Sequence, residues 1–559
     1  MKAAAALADT LLAVLALGVL AIVITGGGVF AAAGQRISVM GVDNPLLGLT
    51  LLATLRYLVL RRIPLFGRER WTMPSIERAA RSFVVESVRR IETLSPAAAT
   101  KIVLIATAAS MAVKLLLAWS YPGFFSGDDV EIHEMSIGAL WHAGWPAWDL
   151  RNAFFPLGVV YPMQRLFAVI GLDGPATLVF AGRMSVAIIS SLAIPLVWRA
   201  GLRLMPAAPG WAVVAAVLLA TSQLHVAFGS SELPRPVATV FVLSAFVLLL
   251  QERAFGAVAA AVMLGIAATL RFSEAVFLAP AVLMLAWQRR WVTSVILVAG
   301  AALTAATIVG VTDAWYWGEP FHSLSAVVDY TFVQRLSSRG YQNVFWYLRH
   351  LFVWLSPALA VFAALALRAS PRVIDAWWWL PVVVLSLLPH KEARYVIPVV
   401  PFACLTAVRG LRLAAERIRL DGSSHARGWR SVAVIALLLI GIAYDAGHWR
   451  LPRTNADVRL AQRANGIVPP AARIGAEQAW RLGGRLYLHP REIFDLDPNR
   501  LSDPEYLWRE IPPDAVILLD SRTIDRHGLR ATLQARGYSR DPLATEGSRY
   551  ELWIPANGR

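Results

Sequence analysis

Charge and cysteine are what this chain has least of. Asp, Glu, Lys and Arg make up 16% of its 559 residues, where an ordinary soluble chain carries about a quarter. That deficit, beside a 57% apolar content, excludes folding around a single globular core. The one cysteine, Cys404, lies inside an apolar run, so the chain forms no internal disulfide and its redox compartment is not legible from cysteine. Phosphate-binding Walker loops, a glycine-rich dinucleotide fingerprint, HExxH and Cys/His clusters are all missing, which argues against a nucleotide-driven pump. There is no internal repeat, and no low-complexity segment beyond the Ala, Leu and Val of the apolar runs.

What the chain has instead is apolar length. Its mean hydropathy is +0.54, and several runs approach the roughly 20 residues that cross a bilayer as a helix. Spans are expected near 7–30, 45–60, 102–119, 177–198, 211–228, 236–250, 255–270, 273–287, 292–311, 346–367, 377–388, 396–408 and 431–444, about thirteen in all. They must be helices, because lipid offers the backbone no hydrogen-bond partners. The first apolar stretch is longer than the core of a signal peptide and reads as an uncleaved span. The net charge of +16 does not point to nucleic acid, because the arginines sit in short loops between apolar runs.

Alternate loops collect those arginines. One set holds Arg61, Arg62, Arg68, Arg70, Arg89 and Arg90, then Arg199 and Arg203, Arg253, Arg289 and Arg290, Arg368 and Arg372, and Arg409, Arg412, Arg417, Arg419, Arg427 and Arg430. By the positive-inside rule this set is cytoplasmic. The opposite set comprises 121–175, 229–235, the turn at Arg271, 313–345 and 390–394, with the polar tail on the same side. Three divisions follow: 1–100 with two spans and a basic segment, 101–447 as the membrane module, and 448–559 as a small soluble α/β domain. In that domain 457–465 reads as helix, and 515–519 and 550–554 read as strands.

The unusual chemistry falls on the non-cytoplasmic face. Asp128, Asp129, Glu131 and Glu134 crowd into seven residues after a span. One carboxylate there can serve as general base on a sugar hydroxyl; the plainer alternative is an acidic helix cap. Trp148-Asp149-Leu150-Arg151 continues that loop, in a stretch suited to an interfacial helix. His390-Lys391-Glu392-Ala393-Arg394 sets three cationic groups where the charge rule disfavours them. A phosphodiester at headgroup depth would explain the exception, with Lys391 as a point charge, Arg394 as a fork and Glu392 orienting one of them. Arg271 is a second phosphate ligand or a snorkelling side chain. Ser231-Glu232-Leu233-Pro234-Arg235 forms a short polar turn. Asp313-Ala314-Trp315-Tyr316-Trp317-Gly318 opens a further loop, as an interface belt or a sugar-stacking wall.

His390-Lys391-Glu392-Ala393-Arg394-Tyr395 resembles the His-Lys-Glu-x-Arg-Phe motif of the dolichol-phosphate-mannose-dependent mannosyltransferases, which have the GT-C fold. The family's acidic pair, Trp-Glu, Arg and Tyr-Pro correspond to Asp128-Asp129, Trp148-Asp149, Arg151 and Tyr161-Pro162. Arg271 and Asp313…Tyr316-Trp317-Gly318 match two further elements. The resemblance covers about 121–404, with Asp129 and Asp149 in place of Glu and Tyr395 in place of Phe. It implies an all-α polytopic enzyme that moves a sugar, mannose in that family, from a polyprenyl-phosphate donor to an extracytoplasmic glycan or lipid-linked acceptor, with inversion. It makes Asp128 the base with Asp129 beside it, and His390, Lys391, Arg394 and Arg271 the phosphate ligands. Glu392, Glu131, Asp149, Arg151, Glu232, Arg235 and Asp313 are the supporting or acceptor-side residues. No cofactor is required; a divalent cation bridging Asp128 and Asp129 is the alternative. The Arg- and Ala-rich composition points to a bacterial inner or plasma membrane and an undecaprenyl or decaprenyl carrier. The rival reading is a non-catalytic lipid-phosphate transporter or flippase. A secondary transporter would need paired half-helices and inverted repeats, and the sequence has neither.

Overall fold

A computed structural model describes residues 2–25, 28–32, 35–39, 41–60, 63, 65, 72–145, 147–251, 253–334, 341–420, 424–542 and 548–556. Arg61, Arg62, Arg68 and Arg70 of the expected cytoplasmic loop lie outside them. The expected spans coincide largely with helices, except that 7–30 overruns Lys2–Thr25 into the strand Gly28–Ala32 and some spans cover two helices. Six of the described helices are long and apolar enough to cross a membrane: Ala4–Thr25, Pro96–Ser120, Pro175–Leu204, Trp291–Trp317, Ala393–Arg419 and Gly428–Gly447. The pair Gly210–Thr221 and Gln223–Gly229, bent by 50°, is a broken span or a re-entrant loop and brings the number to seven if it is one span. Pro234–Leu249, Phe255–Leu270, Phe272–Trp287, Pro357–Ala369 and Val373–Leu387 are shorter apolar helices. The chain is an integral membrane protein.

Two expected boundaries move. The helix Trp291–Trp317 runs past 311 to Gly318, whose φ of 82° ends it. Asp313, Trp315, Tyr316 and Trp317 therefore sit on its last turns rather than opening a loop. The expected span 346–367 is two helices, Trp346–Trp354 and Pro357–Ala369. Pro357 disfavours helical geometry at the residue before it, and Ser356 adopts φ 61° and ψ 153°. An antiparallel pair, Gly28–Ala32 with Gln35–Val39, joins helix Lys2–Thr25 to helix Asp43–Leu60.

The tail forms a five-stranded mixed sheet in the order Ile493–Leu496, Ile474–Glu477, Val516–Asp520, Tyr550–Pro555, Tyr538–Arg540. The first three strands are parallel and the last two antiparallel, with Ile474 opposite Ile493 and Val516 and Ile517 opposite Trp553. One sheet face shares a core with the membrane module. Val458, Ile474, Tyr487 and Leu518 pack in one cluster with Phe124, Val130, Ile137 and Leu178. The tail thus sits against the segment 121–126 and the start of helix Gly127–Trp141, which carries the acidic pair.

Candidate active site

Helix Gly127–Trp141 starts abruptly from extended Ser126, at φ −149° and ψ 170°. Two acids in its first turn suit the positive end of the helix. They face different ways. Asp129 folds back over the turn: Oδ2 accepts from the Phe125 N–H at 3.0 Å and Oδ1 from the Ser126 hydroxyl at 3.0 Å. It is buried, and burial, with the Glu232 charge second, pushes its carboxyl up to about 7. Asp128 points into a cavity and meets three guanidinium groups: Arg394 Nη2 at 3.0 Å, Arg151 Nη2 at 3.1 Å and Arg271 Nη2 at 3.5 Å. Burial works to raise the Asp128 carboxyl, but these three charges outweigh it and hold it far below the usual carboxylate range.

Each arginine arrives from a different part of the chain. Arg151 ends the turn after Trp148 and also binds Glu131 at 2.9 Å. Arg271 is the extended residue between Ala254–Leu270 and the 3-10 run Phe272–Phe277. Burial and the neighbouring Arg235 and Arg151 lower it to about 10. Arg394 enters from the 3-10 run Ala393–Val399. Its Nε binds Glu392, whose other oxygen lies 3.1 Å from His390 Nε2. Burial opposes ionisation of Glu392, yet His390 and Arg394 bring its carboxyl down to about 2.

These groups line one cavity of about 540 Å³, within the range of small-molecule sites. Asp128, Arg151, Arg271, His390, Glu392 and Arg394 form its polar side, and Arg235 joins them. Arg235 stacks over Tyr395 at 4.0 Å and pairs with Glu274 at 3.4 Å, while its Nη1 is buried without a hydrogen-bond partner. The other wall is apolar: Ile132, Phe155, Leu270, Phe272, Val327 and Phe332. Phe332 and its neighbour Val333 remain largely exposed on the outside.

Besides Asp129, five candidate residues do not line this cavity. Lys391 turns away and donates to the carbonyls of Gln342, at 2.9 Å, and Leu388, so it pins the loop. Glu232 is fully buried and takes Arg183 Nε at 2.6 Å and Nη2 at 3.1 Å. Asp313 is buried too; it accepts from Asn152 at 2.9 Å and from the Ser323 hydroxyl at 2.6 Å. Asn152 lines the cavity, so Asp313 acts one contact behind it. Glu131 reaches the site only through Arg151. Asp149 is exposed.

Arg183 went unnoticed in the sequence. Beyond Glu232 it donates to the carbonyls of Tyr121 and Gly123, each at 2.7 Å. Its signal was an arginine inside an apolar run, which a membrane helix rarely keeps without a task.

The model of the Alg9-like mannosyltransferase family matches residues 144–450. No curated protein sequence matches significantly. Among solved structures, ArnT from Cupriavidus metallidurans bound to undecaprenyl phosphate superposes with a TM-score of 0.55 at 15% identity, over 81% of this chain and 98% of that one. The apo form of the same ArnT gives 0.55 at 15%, over 82% and 99%. An oligosaccharyltransferase of Archaeoglobus fulgidus gives 0.49 at 11%, over 79% and 72%. At such identities the likeness to ArnT speaks for the fold alone. The family match covers more than half of the chain, and the protein belongs to the Alg9-like mannosyltransferase family, as a membrane glycosyltransferase of the GT-C fold.

Proposed function

We propose that the protein transfers a sugar, mannose, from a polyprenyl-phosphate donor to a hydroxyl of a glycan or lipid-linked acceptor on the extracytoplasmic face of a bacterial membrane. One observation carries the reading: a carboxylate, Asp128, shares its arginines with a cavity that is cationic on one side and apolar on the other. An acidic headgroup on a prenyl chain is the complement of those two walls. The family's mannose chemistry and the undecaprenyl phosphate of the ArnT complex support the donor class.

Arg271, Arg394 and Arg235 hold the donor phosphate, with His390 at the rim. Lys391 supports the loop instead of touching the donor. The acceptor oxygen attacks the anomeric carbon opposite the phosphate, so the configuration inverts. The bond from the anomeric carbon to the phosphate oxygen breaks, and its electron pair leaves with the polyprenyl phosphate. The acceptor proton passes to Asp128, and the transition state is oxocarbenium-like. Asp128 loses its negative charge as the phosphate, passing from diester to monoester, gains one. The same guanidinium groups touch both partners, so their pairing follows the charge from one to the other. This electrostatic hand-over makes Asp128, depressed as it is, a better base as bond breaking proceeds. Asp129 holds the turn. A divalent cation is not needed for the charge, because the arginines already sit opposite Asp128.

The test uses the full chain in vesicles with polyprenyl-phosphate mannose labelled in the sugar. Label should pass to acceptor material with release of polyprenyl monophosphate. Movement of intact donor across the bilayer without glycosidic bond formation would instead establish the flippase reading.

A further inference from the structure

The chain leaves the membrane through Gly428–Gly447 and passes at once under the acidic loop. Arg453 Nη1 donates to the Tyr121 carbonyl at 3.0 Å, and Nη2 donates to the Ser230 carbonyl at 2.8 Å and the Ser230 hydroxyl at 3.0 Å. One guanidinium therefore ties together two outer loops, 121–126 and 229–233. The first leads within a few residues to Asp128, the second to Arg235, and both of these line the cavity.

The next two residues continue the grip. The Gly123 N–H donates to Asn455 Oδ1 at 2.9 Å, and the Phe124 N–H to Thr454 Oγ1 at 3.2 Å. The Thr454 N–H returns a bond to the Phe124 carbonyl at 3.0 Å. Thr454 is the N-cap of helix Asn455–Ile467, yet its hydroxyl makes no cap within that helix. It spends the acceptor on the outer loop, where a free N-cap residue normally serves its own first turn. Contact is so close at Gly123 that a Cβ there would collide with the backbone of Thr454 and Asn455.

We propose that Arg453, seconded by Thr454 and Asn455, is a positioning residue of the transferase site: it fixes the backbone of 121–126, and through it the reach of Asp128 toward the acceptor. The tail is then a working part of the catalytic centre, joined to it by this segment. The proposal rests on the transferase reading above. Arg453 touches neither the cavity nor Asp128, so its removal leaves Arg271 and Arg394 of the donor's cationic wall in place and displaces the base.

The experiment compares full-length Arg453→Met, Arg453→Lys and Asn455→Ala, assayed with polyprenyl-phosphate mannose and by hydrogen exchange over 121–129. Arg453→Met should lower kcat by about 10²-fold, the scale of a small misplacement of reacting groups, with donor KM changed far less. Arg453→Lys, which keeps the charge and one or two donors, should recover part of the rate. Asn455→Ala should shift kcat in the same direction by less, and the Gly123 amide should lose protection. An unchanged kcat, or a rise in KM alone, overturns the proposal. Should Arg453→Met fail to fold, the other two variants decide by the same readings. If the wild-type chain transfers no sugar, the transferase reading falls. Hydrogen exchange then decides on the grip itself, and unchanged protection of Gly123 in Asn455→Ala overturns it.

Discussion

Ion-paired carboxylates occur both in the cavity and in the tail, and they are satisfied differently. In the tail, Glu477 accepts from the Asp520 N–H at 2.9 Å and the Thr523 hydroxyl at 2.8 Å. Asp520 takes the Arg522 N–H at 3.0 Å and Arg549 at 2.7 Å. These partners include backbone and short side chains that cannot leave, so the charges are fixed in place as architecture. The ion pairs of Asp128 are all with arginines, each on a long side chain beside open space. Guanidinium groups of that kind can exchange one anion for another. The contrast separates a charge that locks a fold from one available to a ligand.

The largest effect expected from this contrast lies at Asp128. Asp128→Asn keeps the shape but cannot take the proton, and should slow transfer by about 10²–10⁴-fold, the usual contribution of a general base. Glu477→Gln should leave the rate alone. Equal rates for wild type and Asp128→Asn would erase the distinction between the two regions. Next come the arginines. Arg394→Lys retains charge but loses the fork, and should weaken the donor by about 1.5–3 kcal/mol, one to two orders of magnitude in KM; Lys391→Met should change donor KM far less. A donor KM more sensitive to Lys391 than to Arg394 would reverse the assignment made from side-chain direction. In the tail, Thr523→Val removes one hydroxyl from Glu477 and should cost about 1 kcal/mol of stability, read by chemical denaturation, without touching transfer.

The smallest effect concerns pH. Asp129 is raised to about 7, above its unfolded value of about 3.9. Between those limits the folded state holds a proton that the unfolded state has lost, so stability falls as pH rises through the window and levels off above 7. Asp128 works in the opposite sense: its stabilisation is present above the unfolded value and fades only in strong acid. Thermal midpoints from pH 4 to 8 should therefore fall less steeply in Asp129→Asn than in the wild type. A slope unchanged in that variant would assign the proton elsewhere.

Much of this was legible because two signals were strong. Apolar length marked the helices, and the two strands and the helix expected in the tail overlap Val516–Asp520, Tyr550–Pro555 and Asn455–Ile467. The grouping of Asp128, Arg151, Arg271 and Arg394 followed from motif order along the chain. Side-chain direction did not. Nothing in His390-Lys391-Glu392 tells which cation faces inward, since a loop has no period to read. Asp313 was misplaced because Trp315-Tyr316-Trp317 looked like the start of an interface loop, while the helix in fact continues to the first left-handed glycine. Arg183 found its partner Glu232 far along the chain, a pairing that local pattern cannot reveal.

The short helix that ends at Arg271 has a consequence for the surrounding lipid. Phe255–Leu270 faces outward through Phe255, Val258 and Val262. At the rise of an α-helix its 16 residues span about 24 Å, several ångströms less than a hydrocarbon core of roughly 30 Å. Thinning of the lipid beside it is one way to match that length. The bilayer surface then dips toward Arg271, and a carrier's phosphate reaches the cavity with less of its prenyl chain drawn out of hydrocarbon. Transfer should accordingly be fastest in thin bilayers and slow as acyl chains lengthen, a dependence that belongs to the membrane as much as to the protein.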